Sequence, residues 1–159
     1  MRACADDLGG DAPCWAHLVE PDRDIEDRAD VEEFVRAFYR RVATDDVLGP
    51  VFEAAGVDWS VHIPKLVEFW AWQLLGIRGY EGNPLLAHRP VHAETPFRDR
   101  HYERWLQIFD DTLEERFRGP VADVAAQRAR RMAGALRRLL DGVTAPGTAS
   151  VEVLGSLRS

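Results

Sequence analysis

The chain is poor in cysteine: it has two in 159 residues, Cys4 and Cys14, both near the start and outside any periodic segment. So few thiols exclude a disulfide-held scaffold, and in a reducing compartment free thiols on a tail are a simpler reading than a bridge or a redox pair. No run of roughly eighteen apolar residues occurs, so nothing reads as a bilayer-spanning helix. The start, MRACADDLGG, is too acidic and too short of leucine for a secretory signal. A cytoplasmic address is expected. Basic runs are missing as well. With 20 Lys and Arg against 27 Asp and Glu, the net charge of −7 has the wrong sign for nucleic acid or an anionic membrane. A serine nucleophile elbow, a phosphate-cradling glycine loop and an HExxH motif are also absent. No internal repeat appears, and no alternation strong enough to make strands, so the expected fold class is all-α.

What remains is helical periodicity. Residues 1–28 mix Gly, Pro, Asp and Ala without sustained spacing and read as an N-terminal tail, partly packed through Trp15 and Leu18. From Asp30 the pattern changes: Val31, Phe34, Val35, Phe38 and Val42 recur at helical spacing to about residue 44, with Asp30 as cap and Glu33 completing the capping pair. Tyr39 falls between the phases of Val35 and Val42, so its ring points inward and its hydroxyl needs a partner. A short turn or one-turn helix around Val47, Leu48, Val51 and Phe52 follows. Asp58 then precedes the stretch HIPKLVEFWAWQLL, residues 62–75. There His62, Leu66, Phe69 and Gln73 share one face, widened by Trp70 and Leu74; Pro64 fits best in or near the first turn. Gly76, Gly79, Gly82 and Pro84 end that helix before a short apolar segment, residues 85–89, that carries His88.

Pro90 and Pro96 bracket an irregular stretch, and Thr95 is placed to cap a helix over 96–118 whose stripe is Tyr102, Leu106, Phe109, Leu113 and Phe117. The last helix starts at Gly119-Pro120 and ends at Asp141-Gly142. Its stripe runs Ala122, Ala125, Ala129, Met132, Leu136 and Leu139, small enough at first to allow close approach of a partner. Residues 143–159 read as a flexible tail, which leaves 29–142 as one domain.

Five histidines are the main chemical handles: His17, His62, His88, His92 and His101. His88 and His92 have the i, i+4 spacing of a helical zinc pair, but the intervening Pro90 removes its geometric meaning, and no cysteine or carboxylate cluster completes a site. Glu32-Glu33 and Asp110-Asp111 are neighbours in sequence, point apart on a helix, and read as solvated faces. Taken singly, Tyr39 and Trp105 are ordinary amphipathic core residues. The residues alone leave two readings open: two histidines facing a flat apolar ligand from opposite sides, or a helical module without such a ligand that binds a protein through its Ala-faced last helix.

Several pieces occur in one order and with matching separations: Phe38-Tyr39, LGPVF over 48–52, Trp59 followed by His62, Phe69-Trp70, GYEGNPLLAH ending at His88, and RWLQIF from Arg104. Together they resemble the group III truncated haemoglobins over about residues 30–140. The doubled glycines that other truncated groups place between helices are absent. The resemblance implies a truncated globin fold, a two-over-two helical sandwich around haem b. It implies His88 as the proximal iron ligand and Tyr39, His62 and Trp105 as a polar distal set. Phe52, Leu66, Phe69 and Trp70 would line the pocket, and Lys65 would partner a haem propionate, as would Arg78 and Arg89. A neutral imidazole suits iron, and phenol, imidazole and indole donors suit a diatomic ligand that carries partial negative charge. The implied function is binding of oxygen, nitric oxide or carbon monoxide, with oxygen, nitric oxide or peroxide redox chemistry (nitric oxide dioxygenation or peroxidase-like turnover) favoured over bulk transport. Catalysis would call for a reductase.

Overall fold

The computed structural model describes residues 21–144. The expectations for Cys4, Cys14, Trp15, His17 and Leu18, and for the tail beyond residue 144, lie outside the described residues. Within them the chain forms six helices and no strand: α1 (Arg28–Thr44), α2 (Gly49–Ala54), α3 (Trp59–Leu75), α4 (Pro84–Glu94), α5 (Asp99–Arg116) and α6 (Pro120–Thr144). Helix α1 packs on α3 and α5, α5 packs on α6, and α3 and α4 each meet α6.

The core follows the periodicity. Val31, Phe34, Val35, Phe38 and Val42 are all fully buried on α1. Phe38 is the hub, its ring meeting those of Phe34, Tyr39, Trp105 and Phe109 at centroid distances of 6.0, 4.6, 5.3 and 5.2 Å. Near-perpendicular edge contacts such as Phe38–Trp105, at 89°, let the positive ring edge meet the negative face, so the block gains specific geometry as well as buried area. On α6 the small residues Ala122, Ala125, Ala129 and Ala133 are buried, so the face offered in the protein-interaction reading is already covered by the chain's own core. The stripe also drifts from its expected line: Leu139 is 43% exposed and Leu140 takes its place inside.

Several helix ends differ from expectation. The cap of α1 is Asp27, whose side chain accepts from the Asp30 N–H at 3.0 Å, while Asp30 sits three residues inside and accepts from Glu26 and Asp27 N–H groups. Arg23 holds Asp30 and Glu33 together at 2.5 and 2.7 Å, which removes Glu33 from the capping role. Helix α4 runs straight through Pro90, and α3 carries Pro64 in its interior rather than its first turn. Helix α5 begins at Asp99, not Pro96, because His101 Nδ1 accepts the Arg98 N–H at 3.0 Å and closes that end.

Residues 22–27, which composition assigns to the tail, are tied down. Ile25 is 1% exposed, and Asp24 accepts from the Val121 and Ala122 N–H groups at 2.8 and 2.9 Å, acting as a remote cap for α6. Gly119, at φ 151°, is required there: a Cβ would lie 2.6 Å from the Asp24 carboxylate.

Candidate functional site

A cavity of about 300 Å³ lies between α1, α3, α4, α5 and α6. Nine of the eleven residues expected at the site line it: Tyr39, Phe52, His62, Lys65, Leu66, Phe69, Trp70, His88 and Trp105. Arg78 and Arg89 do not; both are exposed on the outside of the loop and of α4. Gln73, on the same α3 face as His62, turns away and accepts from Arg128 at 2.8 Å.

On one wall Tyr39 is buried and is boxed in by Phe38, Phe52, Trp59 and His62, with ring centroids 4.6 to 6.3 Å away. Burial drives its phenol well above the usual range, and a hydrogen bond with Trp105 offsets only part of that. Tyr39 is therefore a neutral hydroxyl at every ordinary pH, able to donate. His62 stands a turn inside α3, whose start is fixed by Asp58 accepting from Ser60 N–H at 3.0 Å. Burial pushes His62 below the usual imidazole range, with His88 and Lys65 adding in the same direction. His62 on α3 and His88 on α4 line the same cavity, near enough that charge on one imidazole disfavours charge on the other.

The opposite wall is α4. Asn83 caps it, accepting from Leu85 and Leu86 N–H at 3.0 and 3.3 Å, and Pro84 supplies the first helical residue, where its missing N–H costs nothing. One turn on, His88 Nδ1 lies 2.5 Å from the Pro84 carbonyl oxygen. A carbonyl can only accept, so Nδ1 carries the proton and Nε2 keeps its lone pair. That is the tautomer a metal-binding imidazole needs, oriented by its other nitrogen. His92, one turn further, is 2% exposed; its Nδ1 accepts the Phe97 N–H at 3.1 Å, and Phe97 in turn contacts the His88 ring with centroids 6.1 Å apart. The unbroken helix restores the i, i+4 relation of His88 and His92, yet His92 is spent on the α4–α5 corner. Among the described residues no three His, Cys, Asp or Glu side chains gather as a metal cluster.

Sequence reasoning missed part of the lining. Tyr102, Met132 and Leu136 lie in the expected helical stripes, but a stripe does not distinguish a residue facing a neighbour from one facing a cavity. Tyr80 and Phe97 sit in connections with no period to read. The Tyr102 hydroxyl is buried with no hydrogen-bond partner, the kind of orphan that marks a place where another group belongs.

A porphyrin fits this donor set. An apolar slot would accept the macrocycle, one imidazole presents a free lone pair, a second imidazole and a phenol–indole pair stand on other walls, and Lys65 is exposed at the rim where an acidic substituent would emerge.

Comparison with known proteins bears on the family and the fold. Residues 24–138 match the family described as bacterial-like globin. The chain is 32% identical over 114 residues to the group 3 truncated haemoglobin of Campylobacter jejuni, covering 69% of this chain and 87% of that protein. The crystal structure of the group III truncated haemoglobin from Campylobacter jejuni superposes with a TM-score of 0.65 at 31% identity, covering 72% of this chain and 91% of that one. The structure of Chlamydomonas reinhardtii THB1 matches with a TM-score of 0.54 at 29% identity, covering 71% and 89%. Globins of this family carry haem and bind small diatomic ligands such as oxygen, and among the described residues no helix is long and apolar enough to cross a membrane. By its matched sequence and its superposition on that structure, the chain is a member of the group III truncated haemoglobins.

Proposed function

We propose that the protein holds haem b through His88 and uses Tyr39, His62 and Trp105 to retain oxygen or a related ligand for redox chemistry in the cytoplasm. The observation that carries this reading is the His88–Pro84 contact, which leaves Nε2 unprotonated in a cavity that also holds the Tyr39–Trp105 pair. When bound, haem supplies a redox-active iron with one open coordination position. Phe52, Leu66, Phe69 and Trp70 exclude water from it, and Lys65 offers a cation to a propionate. Tyr39 keeps its proton because burial forbids the phenolate, so it meets partial negative charge on a ligand with an O–H, while Trp105, which can only donate, gives its N–H to the Tyr39 oxygen and so directs the phenol. His62 is neutral at pH 7 because burial lowers its proton affinity; it offers one N–H and one lone pair, so it can pass a proton as well as hold one.

Several donors in a dry pocket slow ligand escape, which suits nitric oxide dioxygenation or peroxide turnover better than rapid oxygen delivery. Electrons for either would come from a reductase. The test is a spectrum of wild type and His88→Ala, ferric and ferrous with carbon monoxide, with a pyridine haemochrome to identify the macrocycle. Wild type should show a b-type haemochrome and an imidazole-ligated carbonmonoxy spectrum, and the variant should lose the imidazole signature. An unchanged axial signature in the variant would refute the assignment of His88. Nitrate formed stoichiometrically from oxygen-loaded protein and nitric oxide would separate dioxygenation from simple binding.

A further inference from the structure

Trp72 and Tyr80 have no role in the site as described, yet they connect it to the surface. Tyr80 lines the cavity, held edge-on by Phe69 with ring centroids 5.1 Å apart. Its other neighbour is Trp72, stacked at 18° with centroids 6.3 Å apart. Trp72 is 46% exposed, on the side of α3 that faces away from the core. The loop makes room for the arrangement: a Cβ at Gly82 would lie 2.7 Å from the Tyr80 hydroxyl and 2.9 Å from its Cζ, so the phenol lies directly across a glycine. A single exposed tryptophan is unremarkable in itself. An exposed indole stacked on a phenol that lines a redox cavity is a two-ring path between haem and solvent.

We propose that Trp72 and Tyr80 form an electron relay by which phenols too bulky to enter the cavity are oxidised at the protein surface. The inference rests on the haem reading above and names hydrogen peroxide as oxidant. Cleavage of the peroxide O–O bond with two electrons and two protons gives two waters and leaves the haem site short of two electrons. Tyr80 supplies one electron and releases its phenolic proton to solvent. It is refilled by an electron from Trp72 and takes the proton back. Trp72 is refilled at the surface by a phenol, which loses one electron and one proton and leaves as a phenoxyl radical. A second phenol repeats the cycle, so one peroxide and two phenols become two waters and two phenoxyl radicals. Phe69 has no accessible one-electron oxidation and serves as a wall. A competing path runs from Tyr39 to Trp59, centroids 5.9 Å apart, but its rings are tilted at 48° and Trp59 is half-buried against Phe52.

The experiment uses haem-loaded protein, one equivalent of hydrogen peroxide, and a phenol tethered to soluble dextran, which cannot enter the cavity. A parallel sample without phenol receives a nitroso spin trap and is mapped by peptide mass spectrometry. Wild type should oxidise the tethered phenol and carry the trap on Trp72. Trp72→Phe should lose both while its haem absorption still responds to peroxide, and Tyr80→Phe should lose the Trp72 adduct. Tethered-phenol oxidation that persists in Trp72→Phe, or an adduct that falls on Trp59 instead, would overturn the relay and leave the haem reading standing. A wild-type haem spectrum that ignores peroxide would overturn the relay together with peroxide turnover, while the carbon monoxide spectra would still report on His88.

Discussion

Replacing Tyr39 with phenylalanine removes one oxygen atom from a wall that is otherwise closed. The ring is 5% exposed and packed by Phe38, Phe52 and Trp59, so phenylalanine fills the same space and the fold should not register the change. What is lost is a hydroxyl that no bulk water can replace. A hydrogen bond to a partner bearing charge is worth about 1.5–3 kcal/mol, which corresponds to roughly 10- to 150-fold in the rate at which a ligand leaves. Trp105 limits this figure. Its indole N–H is engaged with Tyr39, and once the hydroxyl is gone it is free to turn to the ligand and restore part of the loss. The expected result is oxygen dissociation faster by about tenfold in Tyr39→Phe, and a further increase in Tyr39→Phe/Trp105→Phe. The two effects should be non-additive, because the residues share a hydrogen bond. Stopped-flow displacement of oxygen by carbon monoxide on the four proteins of the cycle measures this directly. Dissociation rates within about twofold of wild type in both Trp105 backgrounds would refute the donor role, since that difference is below the weakest hydrogen bond of this kind.

Substitutions at three other residues test how the scaffold holds the site. Asp24→Ala strips the remote cap from the Val121 and Ala122 amides and should cost about 1–2 kcal/mol, a fall of roughly 3–8 °C in calorimetric midpoint. Burial alone would raise the Asp45 carboxyl, but Arg104 and the Leu48 and Val47 amides prevail and hold it below the usual carboxylate range. A depressed folded value means stability that is present above the unfolded carboxylate pKa and lost as pH falls through the folded one. Asp45→Asn should therefore flatten the acid limb of urea stability measured from neutral pH down to about pH 3. His92 Nε2 is buried without a partner while Nδ1 is bonded, so His92→Leu loses one hydrogen bond and one unpaired donor together. Urea denaturation should place it within about 1 kcal/mol of wild type, and His92→Ala, which adds a cavity, clearly below it.

Most of the fold was legible because the apolar spacing on α1 and α5 has one period and one phase in each, whereas α3 buries Ile63, Val67, Trp70 and Ala71 beside the expected stripe and α6 drifts from Leu139 to Leu140. Where the expectation failed, two local signals competed. Asp27 and Asp30 each stand three residues before an acidic side chain, so the sequence offers two capping registers for α1; the long-range pull of Arg23 on Asp30 and Glu33 favours the earlier one. Proline favours a first-turn place at 64 and a helix end at 90, yet each only removes a donor that would have paired with an exposed residue. Ser60 and Leu86, four positions earlier, are both exposed, so water can take the freed carbonyl. The cavity residues found from sequence came through a resemblance, because helical period alone assigns Tyr39 and Trp105 to core. Tyr80 lies in the GYEGNPLLAH motif, which assigns it no role, and Phe97 has neither period nor motif; only the chain path brings the two to the cavity wall.

The two walls of that cavity are built on different principles, and this bears on how haem and fold depend on each other. The Tyr39 wall rests on α1, which buries seven residues and holds its donors by packed rings. Helix α4 buries one residue, His92, and leaves Leu86 56% exposed. Its position is set at its ends instead, by the Asn83 cap and by the His92–Phe97 link, with Pro84 and Pro90 narrowing the conformations open to the unfolded segment. Such a helix gains little from the core, so its middle, where His88 sits, is the part of the fold with most to gain from a bound macrocycle. Ligand binding stabilises the state that binds, and here the stabilisation falls on α4. On the roles proposed for His88 and the Tyr39 wall, rigid donors on one side and a lightly held imidazole on the other would make a site whose ligand-retaining face exists before haem arrives and whose iron-holding face is completed by it.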